Sequence, residues 1–398
     1  MICQGLKVID CGSFIAAPAA ATLLGDFGAD VIKIEPPGGG DAFRMVPKLP
    51  GMPVSEQPYG WLLDNRGKRG LALDLAKSEG QAVLHRLVAD ADIFITNYPL
   101  AVRKKLAIDH DRLAALNPRL IYASFTGYGE TGAEAAKPGF DVTAYWARSG
   151  LMDMVRSDAS TPPARALAGM GDHPSGVSLF AAIALALYER ERSGRGGMVG
   201  SSLLANGIWS NGIMAQAALC GATFTPRPPR EKLFNALGCY YRCRDGRWLL
   251  LAIVNEQRDW PTVAKCLGRG DLVDDPRYAK QADRFARSAE LIAQFDLAFE
   301  ERDRDDWRQV FDAAGIVFEC VAEVGDLAAD QQMRDAGVLV PFENESALTI
   351  SGPFFVTGAD KVAPRRAPDI GEHSDQILRE AGYDAAAIAQ LRQAKVVA

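Results

Sequence analysis

A chain of 398 residues with 48% hydrophobic and 24% charged residues has the make-up of an ordinary globular protein, long enough for two domains or one large domain with an insertion. Its formal net charge of -6 at pH 7 excludes a general nucleic-acid binder, which needs a strongly basic face, but leaves room for a local basic pocket. No apolar run approaches the ~18 residues that span a bilayer. The opening MICQGLKVIDCG also lacks the pattern of a secretory leader, so no membrane contact and a cytoplasmic location are expected.

In chain order, residues 6–10 read as a buried strand, 17–27 as a helix closed by Gly28, and 30–35 (DVIKIE) as the next strand. A strand at 71–75 follows, and Ser78 with Gln81 forms a capping box that opens a helix to about Val88. Residues 92–96 and 120–125 are two more strands ending in turn chemistry. The turn GMGDHPSG, from Gly169, leads into a long apolar helix reaching about Arg192, and 198–203 reads as another strand. This alternation predicts an α/β fold, with a parallel sheet covered on both faces and ligands at the carboxyl ends of the strands. Residues 222–234, rich in Pro and Arg, read as a linker. Two short strands within 240–253 around the Asp245-Gly246 turn, then helices at 260–267, 288–299 and 304–314, read as a smaller inserted α+β domain. The expected boundaries are 1–221 for the first part of the large domain, 222–322 for the insertion, and 323–398 for the return.

The seven cysteines are scattered; only Cys239 and Cys243 lie close together, with no second pair or histidine to complete a zinc site, so reduced thiols and no metal are expected. Three glycine stretches, 37–41, 169–171 and 127–132, lack the full spacing of a P-loop or a dinucleotide fingerprint and read as turns. Basic residues cluster at Arg66, Lys68 and Arg69, and at Arg103, Lys104 and Lys105, either as solvated surface or as cations for a phosphorylated ligand. Asp172 stands between Gly171 and a helix opened around Pro174 and Ser175. It reads as an ordinary helix cap, or as a carboxylate kept ionised by backbone N–H groups and the positive helix end. Of the four histidines, His85 and His110 read as structural, His373 marks a helix start, and His173 adjoins Asp172. No G-x-S-x-G elbow is present for a Ser–His–Asp hydrolase.

Together these residues resemble the class III coenzyme A transferases, the family of formyl-, carnitine- and aryl-lactate-CoA transferases and α-methylacyl-CoA racemase. The resemblance is carried by LKVIDCGSFIAAPAAATLLGDFGADVIKIEPPGGGD from Leu6, NRGKRGLALDL from Asn65, the Asn97-Tyr98-Pro99 turn, and ASFTGYGETG from Ala123. FDVTAYWARSG from Phe140, GMGDHPSG from Gly169, SGRGG from Ser193 and APDIGEHSD from Ala367 continue it toward the C-terminus. It implies a Rossmann-like large domain built from both chain ends, a smaller inserted domain, and a homodimer of two chains interlocked like rings. It implies Asp172 as covalent nucleophile, with an acyl-CoA donor and a carboxylic acid acceptor as partners. Coenzyme A thioester would then be a substrate, and no cofactor would be tightly bound. Coenzyme A contacts would fall at Ile15, Ala16, Leu73, Asn97, Tyr98, Lys104, Lys105 and Lys137. Pro36 stands where some members carry an arginine for the nucleotide phosphate. Asn235-Ala-Leu-Gly238 is expected in place of a glycine-rich covering loop.

Two other readings compete. A 2-methylacyl-CoA racemase or epimerase needs paired acid–base groups, and family racemases carry Gly-His-Asp where this chain has Gly139, Phe140 and Asp141, leaving only His173 as substitute. A non-catalytic acyl-CoA-binding protein would have no need of Asp172. Tyr145 and Trp146 either line the acyl pocket or pack the core. Their segment resembles the 2-hydroxyacyl and aryl-acyl branch, which implies a medium-sized, largely apolar acceptor acid.

Overall fold

Six short segments, four of them rich in Val, Ile or other large apolar residues, pair into one parallel six-stranded sheet. In the computed structural model, which describes residues 1–398, these are β1 (Lys7–Cys11), β2 (Asp30–Glu35), β3 (Arg69–Ala72), β4 (Ile93–Thr96), β5 (Ile121–Thr126) and β6 (Gly197–Ser202), in the order β3-β2-β1-β4-β5-β6. Side chains alternate across a strand, so adjacent residues serve opposite layers. The in-register row Val8, Ile93 and Ile121 faces α1 (Ala16–Asp26) and meets Ala17, Ala20 and Ala21. The next row, Ile9, Phe94 and Tyr122, faces the other way. There it packs with Val83, Leu84 and Val88 and with Ile377 and Leu378 near the C-terminus.

Helices α2 (Tyr59–Asn65), α3 (Ser78–Val88), α4 (Leu100–Lys105), α5 (His110–Leu116) and α6 (Leu151–Met154) precede the long α7 (Asp172–Ser193), which α8 (Leu203–Ser210) follows after β6. α7 lies against α1 because Gly176 has no side chain; a Cβ there would stand 2.8 Å from the Ala16 carbonyl. Gly194, at φ 71, stops α7 in the left-handed conformation that glycine adopts without strain.

Two local expectations differ from the fold. The capping box at 78–81 does not form. Lys77 is the cap residue, Gln81 reaches back to the Leu75 carbonyl at 3.0 Å, and Ser78 bonds Glu79 instead. The residue types fit the rule, but the helix begins one position early. The third strand is Arg69–Ala72 rather than 71–75, because its register runs from Ile32↔Arg69 to Glu35↔Ala72; Leu73 then bridges to Val397.

The chain divides into two compact units. The first comprises 1–152, 165–220 and 331–398, and the second 153–164 and 221–330. Within the second, β7 (Tyr240–Arg242), β8 (Trp248–Leu251) and β9 (Phe318–Cys320) form an antiparallel sheet, packed around Trp260, Phe295, Phe299, Trp307 and Phe311. Residues 153–164 join this unit beside the expected linker, where Ala159 N–H donates to the Arg227 carbonyl at 2.9 Å. Cys239 and Cys243 are buried in its core, and burial pushes both thiols up, Cys243 to about 12. No helix is long and apolar enough to cross a membrane.

Candidate active site

In this strand order β2 lies on one side of β1 and β4 on the other, so the connections leaving β1 and β4 diverge and open a crevice at their carboxyl ends. Past β1 the chain must reverse into α1, and Phe14 does so at φ 61, a conformation that non-glycine residues enter only when held there. Asp41 holds it. One carboxylate oxygen accepts from Ser13 Oγ (2.7 Å), Phe14 N–H (3.2 Å) and Phe43 N–H (2.9 Å), and the other from Lys33 Nζ (3.0 Å). From β4, Asn97 pairs with the same turn in both directions, accepting from Ser13 N–H (2.8 Å) and donating to its carbonyl (2.7 Å).

Beneath the turn lies a buried ionic network. Lys33 Nζ donates to the Gly12 carbonyl and faces Asp10, while Lys68 Nζ donates to Asp10 Oδ2 at 2.7 Å. Burial works against charge on both lysines. Asp10 and Asp41 overcome it at Lys33, whose pKa rises, whereas Lys68 is pushed down to about 8. Asp41 is held below the usual carboxylate range: burial opposes this, but the Lys33 charge and the three donors prevail.

Asp172 is the first residue of α7. The turn before it is fixed by buried Asp141, whose Oδ2 accepts from Gly169 N–H (2.9 Å) and Gly171 N–H (3.4 Å). A Cβ on Gly169 would stand 3.4 Å from Ile15 Cδ1, so this turn adjoins the start of α1. A Cβ on Gly171 would stand 2.6 Å from Tyr145 Cγ, which makes Tyr145 the floor of the turn and a core residue. Trp146 packs half-buried against the same cluster.

The carboxylate of Asp172 is not a helix cap: Gly171 is the cap residue, and Asp172 accepts no hydrogen bond from the protein. The expectation that helix amides keep it ionised is not met. His173 N–H and Ser175 N–H already donate to the Gly169 and Gly171 carbonyls, and Pro174 has no N–H. Burial first, then the charges of Asp141 and Asp64, push Asp172 up to about 7 against the opposing charge of His173. His173 Nε2 lies 2.9 Å from Asp64 Oδ1.

The other expected contacts divide into groups. Ile15, Ala16, Asn97 and Tyr98 follow β1 and β4 at the crevice, and Leu73 follows β3. Ala16 and Leu73 are fully buried, and Leu73 N–H is taken by the Glu35 carbonyl. Lys104 and Lys105 are exposed at the end of α4 with no ion-pair partner, while Lys137 pairs with Glu134 at 3.1 Å and lies over the Tyr128 ring. The remaining basic residues of the two clusters are neither solvated nor free. Arg66 pairs with Asp26, Lys68 with Asp10, Arg69 with Asp30 and Glu380, and Arg103 with Glu130. Arg44 does not stand in for the arginine missing at Pro36, since it is held by Glu35 and the Pro368 carbonyl. Asn235–Gly238 is not a free covering loop: Ala236 and Leu237 are buried in the second unit's core. The racemase partner position is filled by Phe140, whose ring packs edge-on against Phe14.

Lys33, Asp41 and Asp64 escaped the sequence reading. A lysine in the middle of the apolar strand DVIKIE was the available signal, because a lysine there must find buried anions.

The profile of CoA-transferase family III matches residues 3–374. The chain is 34% identical over 403 residues to (R)-2-hydroxy-4-methylpentanoate CoA-transferase of Clostridioides difficile, covering 100% of each. It is 33% identical over 399 residues to cinnamoyl-CoA:phenyllactate CoA-transferase of Clostridium sporogenes, covering 98% of this chain and 96% of that protein. A solved CaiB/BaiF family protein from Brucella suis superposes with a TM-score of 0.86 at 29% identity, over 95% of this chain and 99% of the other.

Proposed function

The chain belongs to CoA-transferase family III, and we propose that it moves coenzyme A from an acyl-CoA donor to a carboxylic acid through covalent intermediates on Asp172. The observation that carries this reading is a carboxylate with no hydrogen-bond donor of its own, set on a fixed turn beside the crevice at β1 and β4.

The ionised Asp172 oxygen attacks the donor thioester carbonyl and expels coenzyme A thiolate, leaving a mixed acyl–aspartyl anhydride. The thiolate then attacks the aspartyl carbonyl, releasing the donor acid as carboxylate and leaving an aspartyl-CoA thioester. The acceptor carboxylate attacks that thioester, and the thiolate returns to the acceptor side of the second anhydride. Asp172 leaves as carboxylate and the new acyl-CoA is formed. No proton is consumed and the thioester is conserved. The acceptor is a 2-hydroxy acid with an apolar side chain. Two relatives named for such acids, each matched over nearly the whole chain, support this. The active form is a homodimer, interlocked by family resemblance.

Intact mass spectrometry after incubation with a panel of acyl-CoA donors tests the mechanism. A coenzyme A adduct is expected in the wild-type chain and not in Asp172→Asn. No adduct with any donor, together with exchange of an α-proton for solvent deuterium, would replace transfer with racemisation. Strict preference for oxalate or formate over 2-hydroxy acids would overturn the substrate class.

A further inference from the structure

Resting on the covalent-transfer reading of Asp172, we propose that His173 is the positioning residue that shifts the nucleophile toward its ionised form, Asp64 holding its imidazole as a fixed cation beside it. Asp64 is the starting point. Its carboxylate is buried at 3% exposure, and Oδ2 has no partner, so His173 Nε2 at 2.9 Å from Oδ1 is the only group that bonds this side chain. The main-chain carbonyl of Asp64 accepts from Thr22 Oγ1 (2.5 Å) and Lys68 Nζ (2.8 Å), which fixes α2 at that point. A buried carboxylate with so few donors favours a charged partner over a neutral one.

The far side of the ring is also held. A Cβ on Gly169 would stand 3.4 Å from His173 Nδ1 and 3.3 Å from Cε1, so a larger residue there would crowd the imidazole. Gly169 sits at φ 92, a conformation that already favours glycine. The imidazole is thus clasped between α2 and the turn that ends at Asp172.

The charged groups around it come from each neighbouring element. Asp64 faces it from α2, Asp172 precedes it on α7, and Asp141 stands across the 169–171 turn. Lys68 is committed to Asp10 and to main-chain carbonyls. Arg66, which lines the same largely apolar cavity of ≈ 610 Å³, is paired with Asp26. Burial disfavours the imidazolium, but the hydrogen bond and charge of Asp64 outweigh it and raise its pKa. The transfer cycle begins and ends with Asp172 as a free carboxylate. With no hydrogen bond to that carboxylate, the neighbouring cation is the one favourable charge it meets.

His173→Gln separates charge from packing, because the amide can still donate to Asp64. The ionisation of Asp172 is followed from its carboxylate infrared band, taken as the difference from an Asp172→Asn chain in each background. Half-ionisation is expected to move up by about one pH unit. The rate of adduct formation is expected to fall by about ten-fold on the acid side, the loss shrinking as pH rises. A purely structural clip gives an equal loss at every pH and an unmoved band, and that result overturns the proposal. In Asp64→Asn, the His173 signal among the four histidines in a carbon-13 NMR titration should lose its proton at lower pH; an unchanged midpoint also overturns it. Absence of any adduct, with the infrared shift intact, would sink the transfer reading and leave this role standing.

Discussion

At Asp172 one imidazole opposes burial and two carboxylates, and burial with the carboxylates wins, which leaves the side chain half-protonated near pH 7. The rate of adduct formation should therefore fall as pH drops through about 7, and stopped-flow measurement of thiol release across pH 5–9 checks this. The same shift has a stability consequence. A carboxyl whose folded pKa lies above its unfolded value binds more protons when folded, so stability is lost as pH rises from about 4 to about 7. Asp172→Asn should be more stable than wild type at pH 8 by on the order of 1–2 kcal/mol, after discounting for partial exposure, and little different at pH 4. Thermal unfolding at the two pH values reads this directly. Of the basic residues expected to contact coenzyme A, Lys104 and Lys105 have no ion-pair partner. Replacing both with Ala should raise KM for acyl-CoA and flatten its salt dependence, leaving kcat nearly unchanged. Asp172 was legible because its glycine-flanked motif is local. Asp64 was not, because it meets His173 across 109 positions of sequence and only the packing of α2 and α7 against α1 brings them together.

Among the elements, the contact of α1 with α7 sets where the nucleophile stands. Gly176→Ala places a methyl 2.8 Å from the Ala16 carbonyl and must lift the start of α7. A loss of about 1–3 kcal/mol is expected in urea unfolding, with a larger proportional loss of activity than of stability. The turn after β1 depends on a different contact. Asp41→Ala removes one anion facing buried Lys33 and three donor contacts at once, and should cost about 3–5 kcal/mol. Because the folded pKa of Asp41 is lowered, its contribution is present above about pH 4 and lost as pH falls below that. The apolar periods of the strands and long helices marked the sheet and α7 to within a residue or two, except β3, which ends three residues earlier than expected. The same periods carry no sign of the Asp141–Ala147 helical turn, whose position is fixed by hydrogen bonds that Asp141 accepts from a distant loop. Nor did they mark β9, only Phe318–Cys320 long, which is a strand by virtue of pairing with β8.

In the whole molecule, the strand order places its crevice where strand–helix alternation alone predicts it, whereas the short segment 153–164 gives no sign in sequence that it leaves the first unit. The first unit also carries an uncovered apolar surface: Trp209, Ile213 and Leu219 are each more than four-fifths exposed. Such a surface supports self-association, and sedimentation should give twice 42.9 kDa, with Trp209→Glu plus Leu219→Glu shifting the chain to monomer or to aggregate. The lower face of the sheet has another dependence. Its core cluster includes Ile377, Leu378, Ile388, Val396 and Val397, and the last two residues bind back beside Leu73 and Ser374. During synthesis, the ribosome has released every strand of the sheet some 170 residues before the C-terminal helices that complete the cover of this face emerge. Until then only α3 and α5 shield this face, while the second unit, nearly contiguous from 221 to 330, can close. Translation stalled after residue 370 would release a sheet only partly covered on this face, a natural client for a chaperone that binds apolar surface.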